Sequence, residues 1–268
     1  MIDGKKVALV SMMNNDFLMA YEAFMKSFLF NNSWFDLDFI MIDLDLTKET
    51  KKICKSYYPK IQFSPPKKGN YNRVDFAKTP EVLKCTYYKL DTFSFDQYDR
   101  VVFIDMDTIV LGDINLLFLM KYPIAGCKGY NQTRDELRND INTGVFVVNK
   151  PLINQEIYFA LIKKARYGYS MPDQKAINLF FKPDQQFVLQ YAPNYTGIVH
   201  LDKRFNCEKR MLKSKKYKVL FNECKILHFI SQKPWEKNKN KTINNKGYES
   251  LEKMWWEWYK LPKEVVIK

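Results

Sequence analysis

Through its first half the chain alternates short apolar runs with amphipathic stretches, and this alternation restricts the fold more than any other feature. VALVSM (7–12), FDLDFIMIDL (35–44) and VVFIDMD (101–107) read as strands. Between them, FLMAYEAFMKSFLF (17–30), LTKETKKICKSYY (46–58) and TPEVLKCTYYKLDTF (79–93) read as helices. Asn15 or Asp16 is the expected cap of the first helix and Thr47 of the second; Thr79 is expected to cap the third, with Pro80 at its first helical position. Strands alternating with helices make βαβ units, so the expected class is α/β with a mostly parallel sheet. A chain of 268 residues can bury one sizeable core, as a single large domain or a domain with an appended lobe.

The second half is less regular. PIAGCKGY (123–130), GVFVVN (144–149) and ILHFI (226–230) read as strands, and 152–167 and 173–181 as helices. The Asn/Lys-rich stretch 235–248 reads as a loop. A final helix over 248–261 carries three tryptophans, and its aromatic face is expected to pack on the domain or on a partner subunit. The expected organisation is a domain over 1–235 followed by the polar loop and aromatic helix over 236–268.

VVFIDMD is the chemically informative strand. Its apolar run stops at Asp105, skips Met106 and reaches Asp107. Aspartate is depleted in strands, and an unpaired buried carboxylate is costly. In open α/β sheets the carboxyl ends of strands are where ligands bind. Two converging carboxylates repel unless a cation or proton joins them, and a hard divalent cation is the natural partner. Taken alone, the pair reads equally as loop acids, one capping the next turn. A third ligand is available in His228, one of two histidines with His200. His228 sits in an apolar strand, where a hydrogen-bonded core role is the ordinary reading. The strand runs directly into SQKPW, whose Lys233 supplies a point charge suited to phosphate.

The net charge is +13, with dense stretches at 67–73, 209–218 and 233–241. Such a surface suits nucleic acid, anionic membrane or a phosphorylated ligand. No nucleic-acid motif accompanies it, so most of these lysines read as a solvated surface. The five cysteines are scattered and form no CxxC pair, which argues against a zinc site or disulfide framework and fits a reducing compartment. No apolar run approaches a membrane span, and the N-terminal run is too short for a signal peptide, so a cytoplasmic location is expected.

Four segments in order, IDMDT, INTGVFVVNK, PDQKAINLFF and HFISQKPW, resemble glycosyltransferase family 8, and within it the glycogenins. The resemblance runs from about Val7 to Trp235. It implies a GT-A fold, a single Rossmann-like nucleotide-sugar-binding domain with a mixed central sheet. It also implies Mn²⁺ (or Mg²⁺), a UDP-hexose donor, most naturally UDP-glucose, and retention of anomeric configuration. A glycan, protein or polyol acceptor and a homodimer are expected. By the same resemblance Asp105, Asp107 and His228 match the metal ligands. Met12, Asn14 and Leu18 fall near the base, with Leu18 where glycogenins carry a tyrosine. Lys89 falls on the lysine at the donor phosphate or sugar. Asn142, Asp173 and Gln174 match catalytic, sugar-positioning residues, and Met106, Thr143, Gly144, Asn206, Ser231 and Lys233 further donor contacts. A surface lysine, an ordinary turn and a helix N-terminal acid are the plain readings of Lys89, Asn142–Gly144 and Asp173. Two departures stand out. The span between His228 and Lys233 is one residue shorter than in glycogenins, with Ser231 where glycine is usual. No tyrosine falls where glycogenins glucosylate themselves; Met211 or Lys213 lies there, and Tyr217 several residues on. UDP-galactose transfer to a glycan, an idle nucleotide-sugar-binding protein and, last, a nucleic-acid-binding protein are the competing readings.

Overall fold

The expected alternation is present. The structure, a computed structural model, describes residues 1–131, 133–134, 136–166, 172–182, 185–188, 207–208, 224–230, 233–236 and 246–266. β1 (Val7–Met13), β2 (Asp38–Asp43), β3 (Ile61–Ser64) and β4 (Arg100–Ile104) are parallel neighbours in the order β3-β2-β1-β4. The sheet then becomes mixed: β7 (Glu136–Asn149) pairs antiparallel with β4 and with β6 (Ile124–Asn131), and β8 (Phe187–Val188) closes that edge.

Why the strands read as continuous apolar runs is clear from their neighbours. Leu9, Val102 and Ile104 face one core layer, which they share with Tyr21, Phe24 and Phe28 of α1 (Leu18–Asn31). Val10, Val101 and Phe103 face the other, with Tyr158 and Leu161 of α4 (Gln155–Ala165) and Ile177 of α5 (Pro172–Phe180). A strand covered on both faces has no polar face to alternate with.

Local expectations fared unequally. Thr47 does cap α2 (Lys48–Tyr57), accepting from the Thr50 amide. The first helix has no such cap. It is entered through a 3-10 turn, Asn15–Phe17, and Asn15 instead reaches across to α2, where its Oδ1 accepts from the Thr47 amide and the Thr50 hydroxyl. The segment 79–93 is a run of 3-10 turns, Glu81–Ser94, and Pro80 rather than Thr79 takes the cap position. Its last part is enclosed on every side: Lys89 to Ser94 are all buried. Tertiary packing there sustains a winding that is uncommon at such length.

At Asp105 the chain changes sheets. β4 ends at Ile104, and β5 (Thr108–Val110) pairs antiparallel with β10 (Ile226–His228) in a second small sheet completed by β9 (Cys207–Glu208). The turn is held by the Thr108 hydroxyl, which donates to the Asp105 carbonyl at 2.7 Å. α3 (Asn115–Leu119) follows. The final helix, α6 (Lys246–Lys260), packs on α1. Trp255 is fully buried and touches Trp235, and Trp258 meets Phe30. Cys54, Cys85 and Cys224 are free thiols. Among the described residues no helix is long and apolar enough to cross a membrane.

Candidate active site

The change of sheet explains how two acids sit at the end of an apolar strand. The Asp105 amide is still bonded to the Gly144 carbonyl on β7, at 2.8 Å. The Asp107 carbonyl already takes the Phe229 amide beyond β10, at 2.9 Å. The two aspartates therefore stand at the seam between sheets, opposite His228. Met106 between them is buried in the core, so its side chain serves packing.

Ligand atoms of Asp105, Asp107 and His228 all lie within 4.8 Å of one another. His228 Nε2 is 3.0 Å from Asp107 Oδ1 and 3.8 Å from Asp105 Oδ2. Two carboxylates and an imidazole suit a divalent cation of the Mg²⁺/Mn²⁺ kind. The neighbouring charges support that fit. Lys89, 6% exposed, donates to Asp105 Oδ2 at 2.7 Å and lies 3.4 Å from Asp173 Oδ2. Lys233 bonds Asp107 Oδ2 and the Phe229 carbonyl. Two ammonium groups thus face three carboxylates in a buried site, which leaves an anionic excess for a cation to neutralise.

The acids differ in their titration. Burial pushes the Asp105 carboxyl above the ordinary range, against the pull of Lys89 and with the repulsion of Asp107 added. Burial also opposes the charge on Asp107, but Lys233 and then His228 outweigh it and hold that carboxyl well below the usual range. On Lys89, burial is outweighed by Asp105 and Asp173, which keep the ammonium charged.

Gly144 packs directly against His228. The segment Asn142–Gly144 is no turn before a strand. β7 already runs from Glu136, and its register with β6 shifts between the Gly126–Phe146 and Cys127–Asn142 pairs, so Thr143, Gly144 and Val145 bulge from that pairing just after Asn142. Asn142 Oδ1 accepts from the Gly144 amide at 2.8 Å. The imidazole of His228 rests on the Gly144 backbone so closely that a Cβ there would lie 2.1 Å from its Cε1. Thr143 donates to Asp173 Oδ2 at 2.5 Å. Asp173 and Gln174 are both buried at the start of α5.

Met12 lies near the end of β1, half-buried, and Leu18 opens α1 against the core. Asn14 follows β1; its Oδ1 is buried without a hydrogen-bond partner among the described residues, while its Nδ2 bonds Asp16. Asn206 and Ser231 lie outside the described residues, as do His200, Met211, Lys213 and Tyr217.

Two side chains at this site were not anticipated. Asp140 accepts from Gln174 Nε2 at 2.9 Å, and its other oxygen accepts from Arg138 Nε at 2.8 Å. Asn178 exchanges bonds with the Ile141 amide and carbonyl, both at 2.9 Å, and ties α5 to β7. Period-two spacing from Asn142 on a longer strand would have pointed to Asp140, and the four-residue step from Gln174 to Asn178.

Comparison with known proteins identifies the family and the fold. The family model "Glycosyl transferase family 8" matches residues 8–239, and the chain belongs to that family. It is 25% identical over 205 residues to glycogenin-1 of Oryctolagus cuniculus, covering 70% of this chain and 56% of that protein. It is 24% identical over 269 residues to galactinol synthase 1 of Solanum lycopersicum, covering 92% and 79%. In fold it matches the glycosyltransferase GlyE of Streptococcus pneumoniae TIGR4 with a TM-score of 0.67 at 21% identity, over 98% of this chain and 63% of that one. The fold is GT-A, with the mixed central sheet described above.

Proposed function

We propose that this member of glycosyltransferase family 8 is a retaining, Mn²⁺-dependent hexosyltransferase that uses a UDP-sugar, UDP-glucose before UDP-galactose. The observation that carries the reading is the convergence of Asp105, Asp107 and His228 at the seam between the two sheets, with Lys233 on one side and Lys89 and Asp173 on the other. Asp105, Asp107 and His228 would hold the cation. Bound there, it supplies positive charge to a diphosphate leaving group as the sugar–phosphate bond breaks.

The remaining roles belong to the chain itself. Lys233, two residues ahead of the anchored Trp235, gives a second positive charge for the diphosphate. Lys89 orients Asp105 and Asp173 together. Asp173, its Oδ2 already held by Thr143 and Lys89, presents a fixed carboxylate to sugar hydroxyls or to positive charge at the anomeric centre. Asn142, Gln174 and Asn206 position the sugar, while Met12, Asn14 and Leu18 line the side of the base. The unpartnered Asn14 Oδ1 supports this, because a buried acceptor without a donor is costly and a nucleotide N–H or O–H would satisfy it.

UDP release from a panel of UDP-sugars, with Mn²⁺ and with EDTA, tests the reading. Release restricted to one sugar and lost in EDTA is the expected result, with mass spectrometry of the same samples reading self-glycosylation. Failure of UDP to bind in the presence of Mn²⁺ would overturn it. Binding without turnover on any donor or acceptor would favour an idle nucleotide-sugar-binding protein. Light scattering reads the expected homodimer.

A further inference from the structure

We infer that Asp140 is a positioning residue for transfer, fixing the Gln174 carboxamide so that its oxygen, and not its NH₂, is the end presented to substrate. The inference rests on the reading of Gln174 as a sugar-pocket residue.

A glutamine amide has two ends of nearly equal shape and opposite hydrogen-bonding character. Which end faces a substrate is set by what holds the other. Here the holder is a carboxylate, which only accepts, so the group 2.9 Å from Asp140 Oδ2 must be the NH₂ of Gln174. Asp140 is itself secured by Arg138, whose Nε–H donates to Oδ1 at 2.8 Å in an ion pair. The backbone on both sides is tied. Asn178 bonds Ile141 on β7 and also donates to the Gln174 carbonyl at 2.8 Å. Hydrogen bonds through Asn178 therefore tie strand β7 to the first turn of α5. Among the described residues no donor reaches Gln174 Oε1.

The chemical consequence is specific. An amide oxygen accepts a sugar hydroxyl or faces developing positive charge; an amide NH₂ does neither. Asp140 also dictates that residue 174 be neutral. A carboxylate in its place would meet the Asp140 carboxylate within hydrogen-bonding distance, and the pair would have to share a proton.

The test uses the full chain and the UDP-sugar that the wild type consumes. Asp140→Ala and Gln174→Ala are each expected to lower kcat by about a hundredfold, the scale of an ångström-level misplacement. The KM for donor and the calorimetric affinity for UDP with Mn²⁺ should stay unchanged. The double variant should be no slower than Gln174→Ala, because Asp140 acts through Gln174. Gln174→Glu should confine activity to the acid side of the pH profile, and adding Asp140→Asn should restore it near neutrality. Multiplying losses in the double variant, an unchanged kcat in Asp140→Ala, or a Gln174→Glu profile indifferent to Asp140→Asn would overturn the inference and leave the transferase reading intact. A wild type that neither binds UDP nor releases it would remove both.

Discussion

Replacing Gly144 by alanine probes the link between the β7 bulge and the candidate metal site. The added Cβ would stand 2.1 Å from His228 Cε1, 2.6 Å from Nδ1 and 2.9 Å from Asn142 Oδ1. Carbon–carbon contact is comfortable at about 3.5 Å, so the imidazole must retreat by roughly 1.4 Å. Its freedom to do so is small, because His228 is paired with Thr108 across β10 and β5. Overpacking of this kind costs about 1–3 kcal/mol. Metal–ligand distances tolerate only about 0.2 Å, so the histidine is lost as a ligand. The affinity for Mn²⁺ in the presence of UDP should then fall by more than the ~10–100-fold typical of changes one shell further out. Calorimetric titration reads the affinity and thermal denaturation the stability. Gly69→Ala serves as control, since nothing lies within 4 Å of a Cβ there. A Gly144→Ala protein with wild-type affinity and melting temperature would refute the placement of His228 against this backbone.

Four further outcomes are expected. Lys89→Met should destabilise the protein by about 3–5 kcal/mol in denaturant titration, because it strands the buried Asp105 and Asp173 carboxylates. Asp105→Asn should abolish transfer while circular dichroism stays that of the wild type; full activity would refute the metal assignment. Trp255→Ala should cost about 3–5 kcal/mol, since a fully buried tryptophan in the α1–α6 contact leaves a large cavity, read as a lowered denaturation midpoint. Asp91 supplies a pH dependence. Burial pushes its carboxyl up, against the Lys67 amide and the Tyr158 and Tyr71 hydroxyls that bond it. With the folded-state value above the unfolded one, the fold binds the extra proton between them, so Asp91 makes stability rise as pH falls through that window. The difference in unfolding free energy between wild type and Asp91→Asn should shift in that sense, and a pH-independent difference would contradict it.

The sequence by itself determined the parallel half of the sheet, because strands buried on both faces must be apolar throughout and the helices between them must be amphipathic. It also pointed to one cluster, Asp105, Asp107 and His228. The order of IDMDT, INTG, PDQ and HFISQKPW carried the family, and with it the approach of Asp105, Asp107 and His228. Thr47 was legible as a cap because its bond is local, to the Thr50 amide three residues on. What only the tertiary structure decided are the matters that depend on a partner far along the chain. Asn15 is spent on α2 rather than on its own helix, since Thr47 and Thr50 present a better set of partners than its own first turn. The run Glu81–Ser94 winds as 3-10 turns under enclosure that no local propensity encodes. Gly144 is glycine for the sake of an imidazole 84 residues later in the chain, brought there by pairing of β10 with β5. Asp140 turns toward Gln174 only because β7 begins eight residues before the segment that announced it and packs against α5. Local patterns are written in neighbouring residues; a side chain's partner across the fold is set when separate elements pack.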